Sequence, residues 1–244
     1  MLAVIVIIAI LASALVSSLN KAKSLARQAD CKSNMRQLGA AILIYRSDNG
    51  GQNPAWLSCL YPTYVDDLHL FICRSDPNYG NGNCYPAELP SLNKDTSYNA
   101  SQINDNSGNP DKHRNNGNPT GVSACSYFYE FSVAPSPWSD LTPALANRSP
   151  PITGVSFSRY CDYKNAELQY GAIDNGCVSY STSRLPIIRC YQHIHEGRIR
   201  GYANQDTLAS KTITSEMITI NVAYAGNVYV GPLWWEGALK PGEQ

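Results

Sequence analysis

The eight cysteines are the residues of this sequence whose chemistry is easiest to foresee. Their thiols can pair as disulfides, or their thiolates can hold a metal ion such as zinc. The closest two, Cys73 and Cys84, have ten residues between them, and the Cys-x-x-Cys spacing common in zinc sites is absent. An even number of widely spaced cysteines favours up to four disulfides, with the pairing left open. The predicted set is Cys31, Cys59, Cys73, Cys84, Cys125, Cys161, Cys177 and Cys190.

Two histidines near a glutamate offer a second arrangement that could hold a metal. His193 and His195 lie two positions apart, so on a strand their side chains would share a face. Glu196 is adjacent, and His69 could join from elsewhere. A hairpin that ends in polar residues explains the same pattern, and we favour it.

The common catalytic motifs are missing from the sequence. It contains no Gly-x-Ser-x-Gly elbow, no phosphate-binding loop and no His-Glu-x-x-His pair. We therefore predict that the protein is not an enzyme, and that it has no catalytic residue, no metal and no cofactor.

An Asn-, Gly- and Pro-rich region near 78–124 carries a further set of possible ligands. Calcium binds six to eight oxygen atoms, and some of them could come from Asp105, Asn106, Asn109 and Asp111. A segment this polar, with few apolar anchors, is typical of a solvated loop. We favour the solvated loop and keep calcium as the alternative.

The charge balance limits the possible partners. Nineteen basic residues offset nineteen acidic ones, and only 16% of the chain is charged. Binding to the phosphates of nucleic acid depends on clustered positive charge, so we expect no nucleic-acid partner.

The first 19 residues, MLAVIVIIAILASALVSSL, contain no charged side chain. Without Gly or Pro they favour a helix about 28 Å long, apolar on every side. We predict a segment that spans a membrane and polymerises with its copies; a cleaved signal peptide, a plain anchor and a buried core helix are the alternatives. Its large apolar residues are Leu2, Val4, Ile5, Ile7, Ile8, Ile10, Leu11, Leu15 and Val16.

The helix is predicted to continue through residues 20–47 with an amphipathic pattern. Apolar residues there step by four and three positions, which places them on one stripe of a helix. The stripe consists of Cys31, Met35, Leu38, Ile42 and Tyr45. We expect it to pack on a globular head, with Cys31 either buried or bridged to that head. Turn-forming residues at 48–54 end the helix, so one helix is predicted over 1–47.

Residues 48–244 are predicted to form an α+β head. One or two short helices are expected between 55 and 70, followed by several strands. The predicted strands are 125–133, 155–163, 186–194 and 198–203, with a hairpin at 217–235. The hairpin would turn at Ala225-Gly226-Asn227. An antiparallel sheet of about four or five strands would then pack on the helix stripe.

The amino-terminal region closely resembles that of type IV pilin-like proteins and type II secretion pseudopilins. The resemblance lies in MLAVIVIIAILASAL and in KAKSLARQADCKSNMRQLGAAILIYRSDNGG, and is nearest to the large bacterial group with a prepilin-type cleavage and methylation segment. LYPTYVDDLHLFICRSDP, at 60–77, is similar to that group's Tyr-Pro-x-Tyr-Val segment and Cys-Pro-Ser-Asp-Pro turn. SYFYEFS, at 126–132, and the closing hairpin INVAYAGNVYV are looser matches.

The sequence departs from this family at several positions. Mature pilins begin with a methylated residue and have a glutamate at the fifth position, which aligns just before Met1. Either a few residues and a leader precede Met1, which we favour, or the chain lacks this glutamate. Ser17 stands where many pilins have a proline, which makes an unbroken helix more favourable. In the family's closing His-x9-Asp-Gly motif, Ser215 and Ala225 replace the His and the Asp, and only Gly226 is kept.

The resemblance implies a structural subunit of an extracellular type IV pilus-like or pseudopilus filament, built from many copies of the chain. Its implied partners are the inner membrane before assembly, a prepilin peptidase and an assembly platform. The alternative is a membrane-anchored minor pilin or adhesin-type binding protein at the cell surface.

Overall fold

The computed structural model describes residues 2–81, 122, 124–133, 158–170, 180–194, 196, 206–208, 211–213 and 218–232. In the first helix, the side chains of residues 2–6, 9–15 and 17 lie outside the description. Several predictions therefore fall outside the described residues. They concern the calcium ligands Asp105, Asn106, Asn109 and Asp111, the cysteines Cys84 and Cys177, His195, and the side chains of Leu2, Val4, Ile5, Ile10, Leu11 and Leu15.

One long helix opens the chain. α1 spans Leu2–Asp48, 47 residues, and runs without a break through Ser17. Two glycines with left-handed backbone end it, Gly50 at φ 63° and Gly51 at φ 83°. The Gly51 amide donates to the Arg46 carbonyl at 2.7 Å, which satisfies one of the carbonyls left over at the helix end.

The helix is packed on only one part of its length. The five residues of the predicted stripe all lie at the head: Cys31, Met35, Leu38 and Ile42 are buried, and Tyr45 is partly buried against the same core. Among the side chains described before this stripe, the first buried one is Gln28. Within the described residues, no helix is both long enough and apolar enough to cross a membrane.

Two short 3-10 helices follow α1, at Leu57–Leu60 and Leu68–Phe71, where short helices were expected. Asp67 caps the second by accepting a hydrogen bond from the His69 amide at 2.8 Å. Leu57, Leu60 and Phe71 enter the core beside the helix stripe. This segment leads directly to Cys73, which is also buried.

A four-stranded antiparallel sheet forms the other side of the core, with the order β1-β2-β5-β6. Its strands are β1 Phe128–Tyr129, β2 Pro186–Cys190, β5 Ile218–Ala223 and β6 Val228–Pro232. The strands β3 Asp206–Leu208 and β4 Lys211–Ile213 pair separately. The mixed α+β architecture expected from the sequence is confirmed.

The hairpin of β5 and β6 turns as predicted. The Ala223 amide donates to the Asn227 carbonyl and the Gly226 amide to the Ala223 carbonyl, both at 2.8 Å. Gly226 has φ 92°, a left-handed conformation that glycine adopts without strain. Every residue of β5 is buried, and the strand lies between β2 and β6 in the sheet.

The strand predicted at 155–163 is wrong over residues 160–163, and residues 155–157 lie outside the described part of the chain. A second helix, α2, spans Tyr160–Tyr170. Its buried residues include Tyr160, Tyr163, Lys164 and Glu167, which recur at helical spacing. Two of these four residues are charged, so the buried face of the helix has no continuous apolar stripe. The alternation of apolar and polar residues before residue 160 therefore led to the prediction of a strand.

The buried charges of α2 are paired with charges on the sheet side of the core. Lys164 Nζ lies 2.8 Å from Glu167 Oε2 and 3.5 Å from Glu130 Oε2. Arg189 Nη1 lies 3.4 Å from Glu130 Oε1, and its Nε donates to Asn221 Oδ1 at 3.3 Å. Two cations thus meet two anions, and the cluster is neutral as a whole. Buried charges persist only when they are compensated in this way.

Close contact between α1 and the hairpin depends on a glycine inside the helix. A Cβ at Gly39 would lie 2.7 Å from Val222 Cγ1 and 3.3 Å from the Gly226 oxygen. The absence of a side chain therefore lets the helix approach β5 and the hairpin turn.

We predict that Gly39→Ala destabilises the protein by about 1–3 kcal/mol, the usual range for overpacking a core. At a solvent-exposed helix position the same change would be stabilising, by about 1 kcal/mol. Urea unfolding followed by circular dichroism measures the difference. Val222→Ala removes the clashing methyl groups, so the double variant should lose less stability than the sum of the single changes. A stabilising Gly39→Ala would contradict the close contact.

We further predict that Lys164→Met lowers the free energy of unfolding by about 3–5 kcal/mol, because Glu130 and Glu167 are left buried without their shared cation. The control is Arg159→Met, directly before the same helix, which removes a more exposed pair with Asp162. Exposed pairs contribute about 0–1 kcal/mol. Equal losses for the two variants, measured by urea unfolding, would show that the buried network does not stabilise the fold.

Candidate metal centre

Four side chains from three distant parts of the sequence meet in the core between α1 and the sheet. They are Cys31, Cys73, Cys190 and His193, and their ligand atoms all lie within 4.8 Å of one another. Each is at most 1% exposed. We call these four residues the Cys3His cluster.

Each residue of the cluster is held by a different element. Cys31 lies on the buried face of α1, and Cys190 is the last residue of β2. Cys73 follows the second 3-10 helix, and Asn34 of α1 donates to the neighbouring Ile72 carbonyl at 3.2 Å. His193 lies in the turn after β2.

The turn that carries Cys73 is organised by a buried carboxylate. Asp76 accepts hydrogen bonds from the Asn78 amide at 2.9 Å, the Gly80 amide at 2.8 Å and Ser126 Oγ at 2.7 Å. The Asp76 amide in turn donates to the Cys73 carbonyl at 3.0 Å. These bonds fix the Cys-Arg-Ser-Asp-Pro segment against the start of the sheet.

The imidazole of His193 is oriented by a carboxylate on one side and a thiol on the other. Its Nδ1 lies 2.5 Å from Glu196 Oε2, and its Nε2 lies 3.3 Å from Cys73 Sγ. Ser75 Oγ donates to Glu196 Oε1 at 3.3 Å, and Gln28 of α1 donates to the Glu196 carbonyl at 2.7 Å. Glu196 is therefore held from two sides, and the Nε2 atom faces the three sulfurs.

The close approach of the four groups shifts their pKa values apart. Hydrogen bonds from Cys190 and Cys31, and then the contact with His193, hold the pKa of Cys73 well below its usual range. Burial, followed by hydrogen bonds with Cys31 and Cys73, raises the pKa of Cys190. Burial lowers the pKa of His193, but its bonds with Cys73 and Glu196 outweigh burial, and the net shift is upward.

The pKa of Cys31 is also raised. Its hydrogen bond with Cys190 acts to lower the pKa, but the bond with Cys73 and burial together outweigh it. The Tyr127 hydroxyl also hydrogen-bonds to Cys31. Taken together, the four residues offer three sulfur ligand atoms and one nitrogen ligand atom in a site closed to solvent.

No disulfide is formed among four of the cysteines predicted to pair. Cys31, Cys73, Cys161 and Cys190 are free thiols. Three of these four gather around His193 instead of pairing two by two. The disulfide prediction depended on the even number of cysteines and on the expected export of the chain. Neither shows which cysteines lie close together in the fold.

The histidine pair considered in the sequence analysis is also arranged differently. β2 ends at Cys190, so His193 lies in a turn and the two-residue repeat of a strand does not apply. His69 lies in the second 3-10 helix and is outside the cluster. Sequence reasoning missed the cluster, although Cys190-x-x-His193 has the short spacing that zinc ligands often share.

Comparisons with protein-family models, curated proteins and solved structures give no match to this chain.

Cys161 gives a testable contrast to the cluster because it is partly exposed and lies on α2. Burial and the neighbouring Asp162 raise its pKa to about 11. At pH 8 only about one Cys161 thiol in a thousand is then ionised. Since the thiolate is the nucleophile, native alkylation of Cys161 by iodoacetamide should accelerate about tenfold per pH unit from 7 to 10.

The labelling rate is measured by peptide mass spectrometry after quenching at each pH. An ordinary thiol would level off above its pKa of about 8.5, and such a plateau at Cys161 would contradict the shift. Cys31, Cys73 and Cys190 should remain unlabelled at neutral pH because they are buried.

Proposed function

We propose that this chain is the structural subunit of a helical filament, and that it polymerises through the amino-terminal half of α1. The observation that carries the proposal is the uneven packing of this helix. Its second half lies in the core of the head, whereas its described apolar side chains before Gln28 are not covered by the chain itself.

The part of α1 before Gln28 is long. From Leu2 to Arg27 it extends for about 39 Å, and the large apolar side chains described in it are between 55% and 69% exposed. These side chains are Ile7, Ile8, Val16, Leu19 and Leu25. An apolar surface of this kind needs a partner, either lipid or other copies of the same helix.

Copies of the helix are the partner that we favour for the final state. Covering each large apolar side chain stabilises the covered state by about 1.5–3 kcal/mol relative to water. Transfer from lipid to a bundle of helices gains much less, so packing between helices and between heads must decide the stability of the assembly. A head-to-tail contact repeated by a rotation that does not close produces an open helical filament.

The resemblance to type IV pilin-like proteins and pseudopilins supports the same proposal. A precursor held in the inner membrane by residues 1–19 would be processed by a prepilin peptidase and extracted by an assembly platform. The extracellular filament would then keep the α+β heads outside and the apolar helices inside. Ser17, in place of the proline found in many pilins, agrees with a helix that is unbroken at this position.

The head has its own core, which allows assembly and folding to be tested separately. The buried residues of α1 from Cys31 to Ile42 pack with the sheet and the 3-10 helices, far along the helix from Ile8. A change at Ile8 should therefore leave the head intact.

We predict that Ile8→Asp abolishes filament formation without unfolding the head. A buried carboxylate without a partner is strongly unfavourable in a packed helix bundle or in lipid. Negative-stain electron microscopy of sheared cell surfaces and of the purified chain measures assembly, and circular dichroism measures folding.

The matched control is Ile44→Asp, which places the same charge at an exposed apolar position on the head half of the same helix. This variant should still form filaments. Normal filaments from Ile8→Asp would contradict the polymerisation role. Wild-type protein found only as dispersed monomers in the membrane would instead favour an anchored binding protein at the cell surface.

A further inference from the structure

We propose that the Cys3His cluster is a structural zinc site that joins α1 to the head. The ligands are the sulfurs of Cys31, Cys73 and Cys190 and the Nε2 atom of His193. The inference does not depend on the filament role, because it rests on residues in the core of the head.

The donor set and its spacing match a tetrahedral zinc ion. Zinc binds sulfur at about 2.3 Å and imidazole nitrogen at about 2.0–2.1 Å, so its donors lie roughly 3.5–3.8 Å apart. The four ligand atoms lie within 4.8 Å of one another, and Cys73 Sγ is 3.3 Å from His193 Nε2. A small contraction around an ion would complete the geometry. Three thiolates with one imidazole form a common structural zinc set.

The surroundings indicate a closed site. The four ligands are at most 1% exposed, so no side of the cluster is open to water or to a substrate. Catalytic zinc keeps a position for water, whereas structural zinc has four protein ligands. With all four positions supplied by the chain, the ion would hold elements together and would not act on a substrate.

Glu196 supplies the outer contact that metal-bound histidines usually have. Its carboxylate lies on Nδ1 of His193 and leaves Nε2 for the metal, as in carboxylate–histidine–zinc arrangements. Ser75 and Gln28 hold this glutamate from the Cys73 turn and from α1. Glu196 is a positioning residue in this site, since it acts on the metal through His193.

A disulfide explains the same residues less well. It would join two of the three sulfurs and leave a third buried thiol next to a histidine that is already oriented by a carboxylate. A zinc ion uses all four donors. It would also link positions 31, 73 and 190, so that metal binding and docking of the helix become coupled.

The proposal is tested on the full chain, produced in zinc-supplemented medium and purified in mild detergent without chelators. We expect about one zinc per chain by inductively coupled plasma mass spectrometry. Cys190→Ser and His193→Ala should lose most of the bound zinc, whereas Cys161→Ser, a thiol outside the cluster, should keep it. Less than about a tenth of an equivalent in the wild type, or an equivalent of iron instead, would overturn the proposal.

Two further measurements cover variants that fail to fold. Replacing zinc with Co2+ in the wild type should give the intense visible bands of tetrahedral cobalt, together with thiolate charge-transfer absorption. Weak octahedral bands would overturn the site. A mass two hydrogens lower for each disulfide, with no metal bound, would establish disulfide pairing instead.

Glu196→Gln tests the positioning role while keeping all four ligands. Its zinc affinity, measured by competition with a chromophoric chelator, should fall about 10- to 100-fold, whereas Cys161→Ser should match the wild type. An unchanged affinity would show that Glu196 does not support a metal-bound histidine, and the assignment of His193 as a ligand would fall with it.

Discussion

Gly39 allows α1 to lie against β5 and the hairpin turn at a distance that any larger residue would prevent. Val222 and the Gly226 carbonyl occupy the space where a side chain would be. Gly226 is under the same constraint from the other side, since a Cβ there would lie 2.6 Å from Leu43 Cδ1. This contact sets the depth of the helix in the head, and the burial of Cys31, Met35, Leu38 and Ile42 follows from it.

The two polar clusters of the head depend on this arrangement in different ways. The Cys3His cluster crosses from α1 to the sheet and the Cys73 turn, so it exists only while the helix is docked. The charge network of Glu130, Lys164, Glu167 and Arg189 joins α2 to the sheet and does not involve α1. If a pulling force acted on α1 in a filament, it would be transmitted to the head near Cys31, where the cluster lies. A proposed metal there would resist separation of helix and head.

The proposed filament gives a physical reason for the contrast between the two halves of α1. A single sheet can cover only one face of a helix. A helix that is apolar on every side would therefore leave apolar side chains exposed to water if it packed only on the sheet of its own head. An amphipathic continuation can dock on that sheet and hold the apolar half clear of it. In the proposed filament, α1 would have two partners, the head of its own chain along its second half and the helices of neighbouring copies along its first half.

The sequence by itself determined the local features of this protein. The unbroken helix, the stripe from Cys31 to Tyr45, the turn at Ala225-Gly226-Asn227 and the mixed α+β class follow from periodicity and turn chemistry, which act between near neighbours. The strand prediction was wrong at residues 160–163, which are helical. The helical pattern was hard to recognise there, since Lys164 and Glu167 occupy buried helix positions that apolar residues usually fill.

Only the tertiary structure decided which distant residues share a site. Cys31, Cys73 and Cys190 carry the same sequence signal as the cysteines outside the cluster, because a thiol shows nothing about its partners until the chain is folded. Docking α1 on β5 and ending β2 at Cys190 brought three sulfurs to His193. Spacing along the chain relates only Cys190 to His193, since Cys31 and Cys73 come from a helix and a turn that reach the sheet through contacts of long range.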